Sequence, residues 1–81
     1  HVQYKRIEQD ELPFEFMMNA LRLNEGVEAR LYQERTGLDL KALQAILSGL
    51  RERQLMVADP DRLACTEKGH IFLNSVLEEF L

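Results

Sequence analysis

Between Leu12 and Leu23 the chain reads LPFEFMMNALRL, and only Glu15, Asn19 and Arg22 in that run carry polar side chains. On a helix those three stand at i, i+4 and i+7 and form one narrow stripe, so every other side is apolar. A surface helix of a small domain shows the reverse, an apolar stripe about 100° wide facing the core with polar residues elsewhere. Most of this helix therefore has to be covered by protein. With 81 residues the chain forms one compact domain, and a chain of that size buries only about 60% of its unfolded surface. Phe14, Met17 and Leu21 share one face and suit the domain's own core. Met17 and Met18, being adjacent, point about 100° apart. Both cannot face one small core squarely, so one of them is expected to meet something outside it.

Composition narrows the function classes. Apolar residues make up 46% and charged residues 30% of the chain, ordinary values for a soluble globular protein. No apolar run approaches the roughly 20 residues that cross a bilayer, and no secretory signal is visible. Cys65 is the only cysteine, which excludes a disulfide within the segment, excludes a cluster held by several of its cysteines, and points to a reducing, cytoplasmic setting. The net charge is −4 with a pI of about 5.1, and no basic block occurs. Phosphate contacts supply much of the affinity of nucleic-acid binders, so no nucleic-acid partner is expected. The chain opens on His1 rather than Met, as a piece cut from a longer protein would.

Residues 1–10 are polar and mixed in charge and read as a linker or a short strand. Pro13 suits a first helical turn, where its missing N–H has no partner in any case, and Asp10 and Glu11 favour the positive helix end. The first helix is therefore expected to begin near Leu12 and to close at Asn24-Glu25-Gly26, with Gly26 left-handed. Glu28 to Arg35 reads as a second helix with Leu31 and Tyr32 facing inward, broken by Thr36-Gly37. Asp39 then caps a third helix, with Leu38 stapled to Leu43 and an apolar stripe of Leu43, Ile46, Leu47 and Leu50.

Beyond Gln54 the period changes. Leu55 and Val57, a turn at Asp59-Pro60-Asp61-Arg62, then Leu63 and Cys65 predict a small hairpin. Thr66 caps a last helix whose inward face is Phe72, Leu73, Val76, Leu77 and Phe80. The predicted fold is α+β, mostly helical and winged-helix-like: three helices, a small β-hairpin and a C-terminal helix, over residues 11–81.

A helix-turn-helix raises the possibility of DNA binding. The third helix would present Lys41, Gln44, Ala45, Ser48, Gly49 and Glu52 outward, one base and one acid, which is poor equipment for a groove lined with phosphates. His70 and Cys65 match no metal-ligand spacing. They read instead as a partly exposed histidine in the first turns of the last helix and a small buried hydrophobe. Glu11 with Glu15 and Glu78 with Glu79 form solvated faces, the first pair also favouring a helix N-terminus. Phosphate loops, nucleophile elbows and histidine-centred triads are missing, and the segment is expected to be non-catalytic by itself.

The residues LPFEFMMNALRLNEGV, RTGL and TEKGHIFLNSVLEEFL resemble the C-terminal domain of radical-SAM proteins related to oxygen-independent coproporphyrinogen III oxidase, and most of all the branch of haem chaperones. The resemblance spans about Glu11 to Leu81, the tail of a much longer chain. It implies a parent protein with a [4Fe-4S] cluster, S-adenosylmethionine and haem or a porphyrin, all bound in a barrel outside this segment. CxxxCxxC has no counterpart here, and the family's haem-binding histidine motif belongs to the barrel, so neither His1 nor His70 inherits a role. No catalytic, cofactor-binding or metal residue is carried over.

What the resemblance does carry over is a position beside the barrel's open face, where the domain helps bound the substrate site. Phe16 and Met18 are then the candidates for contact with the barrel of the same chain. Two other readings stand beside this one: a stand-alone winged-helix transcriptional regulator, which requires salt-dependent DNA binding, and a domain of a genuine oxygen-independent coproporphyrinogen III oxidase, which requires decarboxylation by the parent.

Overall fold

The first helix ends earlier than its apolar run. In the computed structural model, which describes residues 11–81, α1 spans Leu12–Ala20 with proline in its first turn. The linker or strand expected over residues 1–10, and His1 with it, lie outside the described residues. Leu21 closes α1 by donating its N–H to the Met17 carbonyl, and a turn runs on to Gly26, whose φ of +65° is the left-handed conformation expected there.

The chain then does something the periodicity does not announce. Val27–Glu28 form β1, so Glu28 lies in a strand and the second helix, α2, starts later, at Arg30–Thr36. Antiparallel to β1 runs β2, Arg62–Leu63, with Val27 opposite Leu63 and Glu28 opposite Arg62. The expected hairpin exists only as a bridge between Met56 and Cys65, extended by bonds from Val57 N–H to the Ala64 carbonyl and from Thr66 N–H to the Leu55 carbonyl. The ladder is thus completed from across the chain, between segments separated by α2 and the third helix.

Gly37, at φ +75°, ends α2 and donates to the Gln33 carbonyl. Asp39 caps as expected: its carboxylate accepts the Lys41 N–H at 2.9 Å. The turn it opens is a 3-10 turn over Leu40–Leu43 that passes into α3, Gln44–Glu52. Leu43, Leu47 and Leu50 are buried and Ile46 packs against them. The end of α3 is a Schellman motif. Gln54 N–H donates to the Arg51 carbonyl and Leu55 N–H to the Leu50 carbonyl, while Leu50 and Leu55 meet in the core.

Gln54 occupies the left-handed position of that motif, at φ +62°, where glycine is usual. An L side chain there costs about 1–2 kcal/mol, of which the greater flexibility of unfolded glycine returns part. Gln54→Gly is therefore expected to raise stability by about 0.5–1 kcal/mol, read as a higher urea midpoint with an unchanged slope.

Thr66 caps the next helix through its hydroxyl, which accepts the Gly69 N–H at 3.0 Å and donates to the Gln54 carbonyl at 2.6 Å. The expected single C-terminal helix is two: α4, Glu67–Ile71, and α5, Leu73–Glu78, separated at Phe72. α4 is pressed on the Leu55 backbone at Gly69, whereas α5 packs on α1. The break re-aims the chain between these two supports. Val76, Leu77 and Phe80 turn inward as expected, but Phe72 is left 51% exposed beside Ile71 at 73%.

The architecture is α+β and mostly helical, with five α-helices and a two-stranded sheet among the described residues. Met17, Leu21, Tyr32, Leu47, Leu50, Met56, Leu63 and Val76 form the fully buried centre. No described helix is long and apolar enough to cross a membrane.

Candidate functional site

Helix α1 lies against both α2 and α5, and that placement explains most of its apolar circumference. Met17, Ala20 and Leu21 are buried; Phe14, Phe16 and Met18 are half-buried and pack on the core from its sides. Phe16 and Met18 are therefore neither free nor fully covered. The Phe16 ring meets Tyr32 of α2 edge-on, with centroids 5.2 Å apart and planes at 89°, a favoured aromatic geometry. On the remaining side of Phe16 opens a groove of about 260 Å³ between α1 and α2.

The floor of the groove is apolar, built from Leu12, Phe16 and Ala20 of α1, Leu31 of α2, and Leu23 and Val27 from the connecting turn and β1. Leu23 is 52% exposed there. Glu15 stands on the α1 side and Arg35 on the α2 side, and neither is ion-paired within the described residues. Met18 does not line the groove. The structure thus separates the two residues singled out from the sequence: Phe16 looks toward α2, and Met18, two positions on and about 200° round the helix, looks elsewhere. Leu23, Leu31 and Arg35 are the additions. Leu31 belongs to the inward face expected of the second helix, and Leu23 to the opening apolar run, but their convergence depends on the turn at Gly26.

Nothing else in the described residues assembles a reactive centre. No three of His, Cys, Asp and Glu converge on a metal position among them. His70 is half-buried, with Nε2 enclosed and lacking a hydrogen-bond partner among the described residues. Cys65 is 4% exposed, and burial pushes its thiol pKa up. The Tyr32 phenol is raised in the same way by burial, against a lowering hydrogen bond with Thr36. In both, the folded state holds a proton that the unfolded chain gives up at the ordinary pKa. The unfolded state therefore binds fewer protons above that value, and stability must fall as pH rises. Urea midpoints are expected to fall from about pH 8.5 upward, with the first part of the slope abolished in Cys65→Ala. A flat profile to pH 10 would show that the Cys65 thiol is not held in its neutral form; the Tyr32 contribution begins only above the ordinary phenol value of about 10.

The outward face of α3 and of the 3-10 turn before it carries Lys41 and Glu52 with Gln44, Ala45 and Ser48 between, all exposed. That near-neutral face does not supply the basic surface a DNA groove demands.

A family model described as the HemN C-terminal domain matches residues 7–72. Over 77 residues the chain is 35% identical to a protein named heme chaperone HemW from Haemophilus influenzae, covering 95% of this chain and 20% of that one. Over 69 residues it is 35% identical to another protein of that name from Buchnera aphidicola, covering 85% and 18%. The chain thus spans about a fifth of the length of these relatives. No solved structure is significantly similar to it.

Proposed function

Because this chain belongs to the HemN C-terminal domain family, we propose that it is the accessory C-terminal domain of a cytoplasmic radical-SAM haem chaperone, packing on the barrel of the same chain and helping to bound the porphyrin site. Support for the chaperone branch comes from the two relatives, which are named for that activity. The observation that carries the docking is the state of α1. Between two neighbouring helices it still leaves Phe16 and Met18 partly exposed, and completing the burial of one such side chain adds a fraction of the about 1.5–3 kcal/mol that its full burial is worth.

The part played by these residues is binding and exclusion of water, not chemistry. The cofactors of such a parent do not fit here. A [4Fe-4S] cluster needs several thiolates, and the single cysteine is enclosed in the core. For haem, the groove between α1 and α2 is lined by no histidine, cysteine or methionine, and Nε2 of His70 is enclosed. Barrel, cluster, S-adenosylmethionine and haem are all assigned to the other four-fifths of the parent.

Met18→Asp in the full-length protein tests the docking. Met18 lies off the Phe16–Tyr32 contact and is only half-buried, so the domain is expected to stay folded. Hydrogen exchange of α1 should then speed up while α3 and α5 keep their protection. Unchanged exchange throughout α1 would refute the reading.

A further inference from the structure

The groove between α1 and α2 has properties that identify its occupant, and from them we infer that it is the seat of an amphipathic segment of the parent chain's own N-terminal portion, which inserts one or two large apolar side chains between Glu15 and Arg35. The inference rests on the docking proposed above and specifies where and by what chemistry it is made. Size is the first argument. At about 260 Å³ the groove lies below the roughly 300–1,000 Å³ of small-molecule sites, too small for a macrocycle and right for a few side-chain groups. Its lining includes no histidine, cysteine, methionine or tyrosine, so it offers none of the usual axial ligands of haem iron.

Charge is the second. Glu15 and Arg35 carry opposite signs on opposite walls, without ion-pair partners among the described residues, and the floor between them is apolar. The complementary surface has a base on one edge, an acid on the other and aliphatic or aromatic groups in the middle, which is the face of an amphipathic helix or strand. An occupant lacking the acid would leave Arg35 to be desolvated without compensation.

Chain continuity is the third. The relatives are about five times as long as this segment, the family description places it at the C-terminal end, and Leu12, the first residue of α1, also lines the groove. The groove therefore reaches the N-terminal end of α1. A tethered occupant has an effective concentration in the millimolar range, which a second copy does not match.

A photo-crosslinking amino acid placed at Leu31, and separately at Met18, in the full-length protein decides the matter by mass spectrometry. Intrachain links from position 31 to residues preceding this segment are expected, and they should be lost with Arg35→Glu but kept with Lys41→Glu, an exposed charge outside the groove. Links between two copies, or none from position 31, would overturn the inference. If position 18 still links to the preceding chain while position 31 does not, the groove assignment alone fails. If neither links, the docking reading falls with it.

Discussion

Gly69→Ala is expected to unfold the domain at temperatures where the original sequence is folded. Gly69 sits in the first turn of α4, whose helical backbone any residue could adopt, so the glycine answers a question of space. A Cβ there would lie 1.9 Å from the Leu55 carbonyl oxygen, 2.9 Å from its carbon and 3.0 Å from Cys65 Cβ. The carbonyl has no freedom to retreat. Its oxygen accepts the Thr66 N–H, and the N–H of the same residue closes the Schellman motif on Leu50. The helix must move instead, and with it the Thr66 hydroxyl that ties Gly69 N–H to the Gln54 carbonyl.

Overpacking that shifts backbone costs typically about 1–3 kcal/mol, and a Cβ 1.9 Å from a fixed carbonyl oxygen belongs at the upper end, against a total of about 4–12 kcal/mol for a chain of this length. A fall in Tm of more than about 12 °C should follow. Gly49→Ala is the matched control. It lies within α3, and its Cβ would meet only the end of the flexible Arg53 side chain, at 3.8 Å. The same replacement should there stabilise by about 0.5–1 kcal/mol. Equal small effects at the two positions would mean that α4 does not rest on Leu55.

How much of this arrangement is legible in the sequence depends on the range of the forces that make each part. Caps and stripes act within a few residues. Asp39, Thr66 and the Leu43, Leu47 and Leu50 stripe are accordingly readable one segment at a time, and so is the burial of Cys65. β1 is not, because two residues show no alternation and their partner lies 34 to 36 positions away; an isolated Val27-Glu28 carries no signal that Leu63 and Arg62 complete it. Phe72 misleads for a related reason. Its apolar spacing continues that of Val76 and Phe80, and only the rival demands of Leu55 on α4 and of α1 on α5 force the break that leaves it outside.

The groove shows the same division. That α1 is too oily for a surface helix can be read from Leu12 to Leu23. That its spare side faces Leu31 and Arg35 requires the path of the chain through Gly26.

That path gives the second large effect. Gly26→Ala combines two penalties that Gly37→Ala separates. Both glycines are left-handed, at φ +65° and +75°, so alanine costs about 1–2 kcal/mol at either from backbone strain. At Gly37 a Cβ would meet nothing within 4 Å, and the strain is the whole effect. At Gly26 the Cβ would fall 2.0 Å from the Leu63 carbonyl oxygen and 2.5 Å from Ala64 Cβ. To relieve that, the turn must lift from β2, breaking the Val27–Leu63 register and the bond from the Arg62 guanidinium to the Glu25 carbonyl at 2.8 Å.

The expected loss at Gly26 is about 3–5 kcal/mol, strain plus overpacking, so chemical denaturation should show it at least twice as destabilising as Gly37→Ala. Similar losses at both would mean that the turn does not touch β2. Because Leu23 and Val27 flank the glycine and line the groove, any Gly26→Ala protein that still folds should also lose the links from position 31 in the full-length chain, whereas Gly37→Ala should keep them.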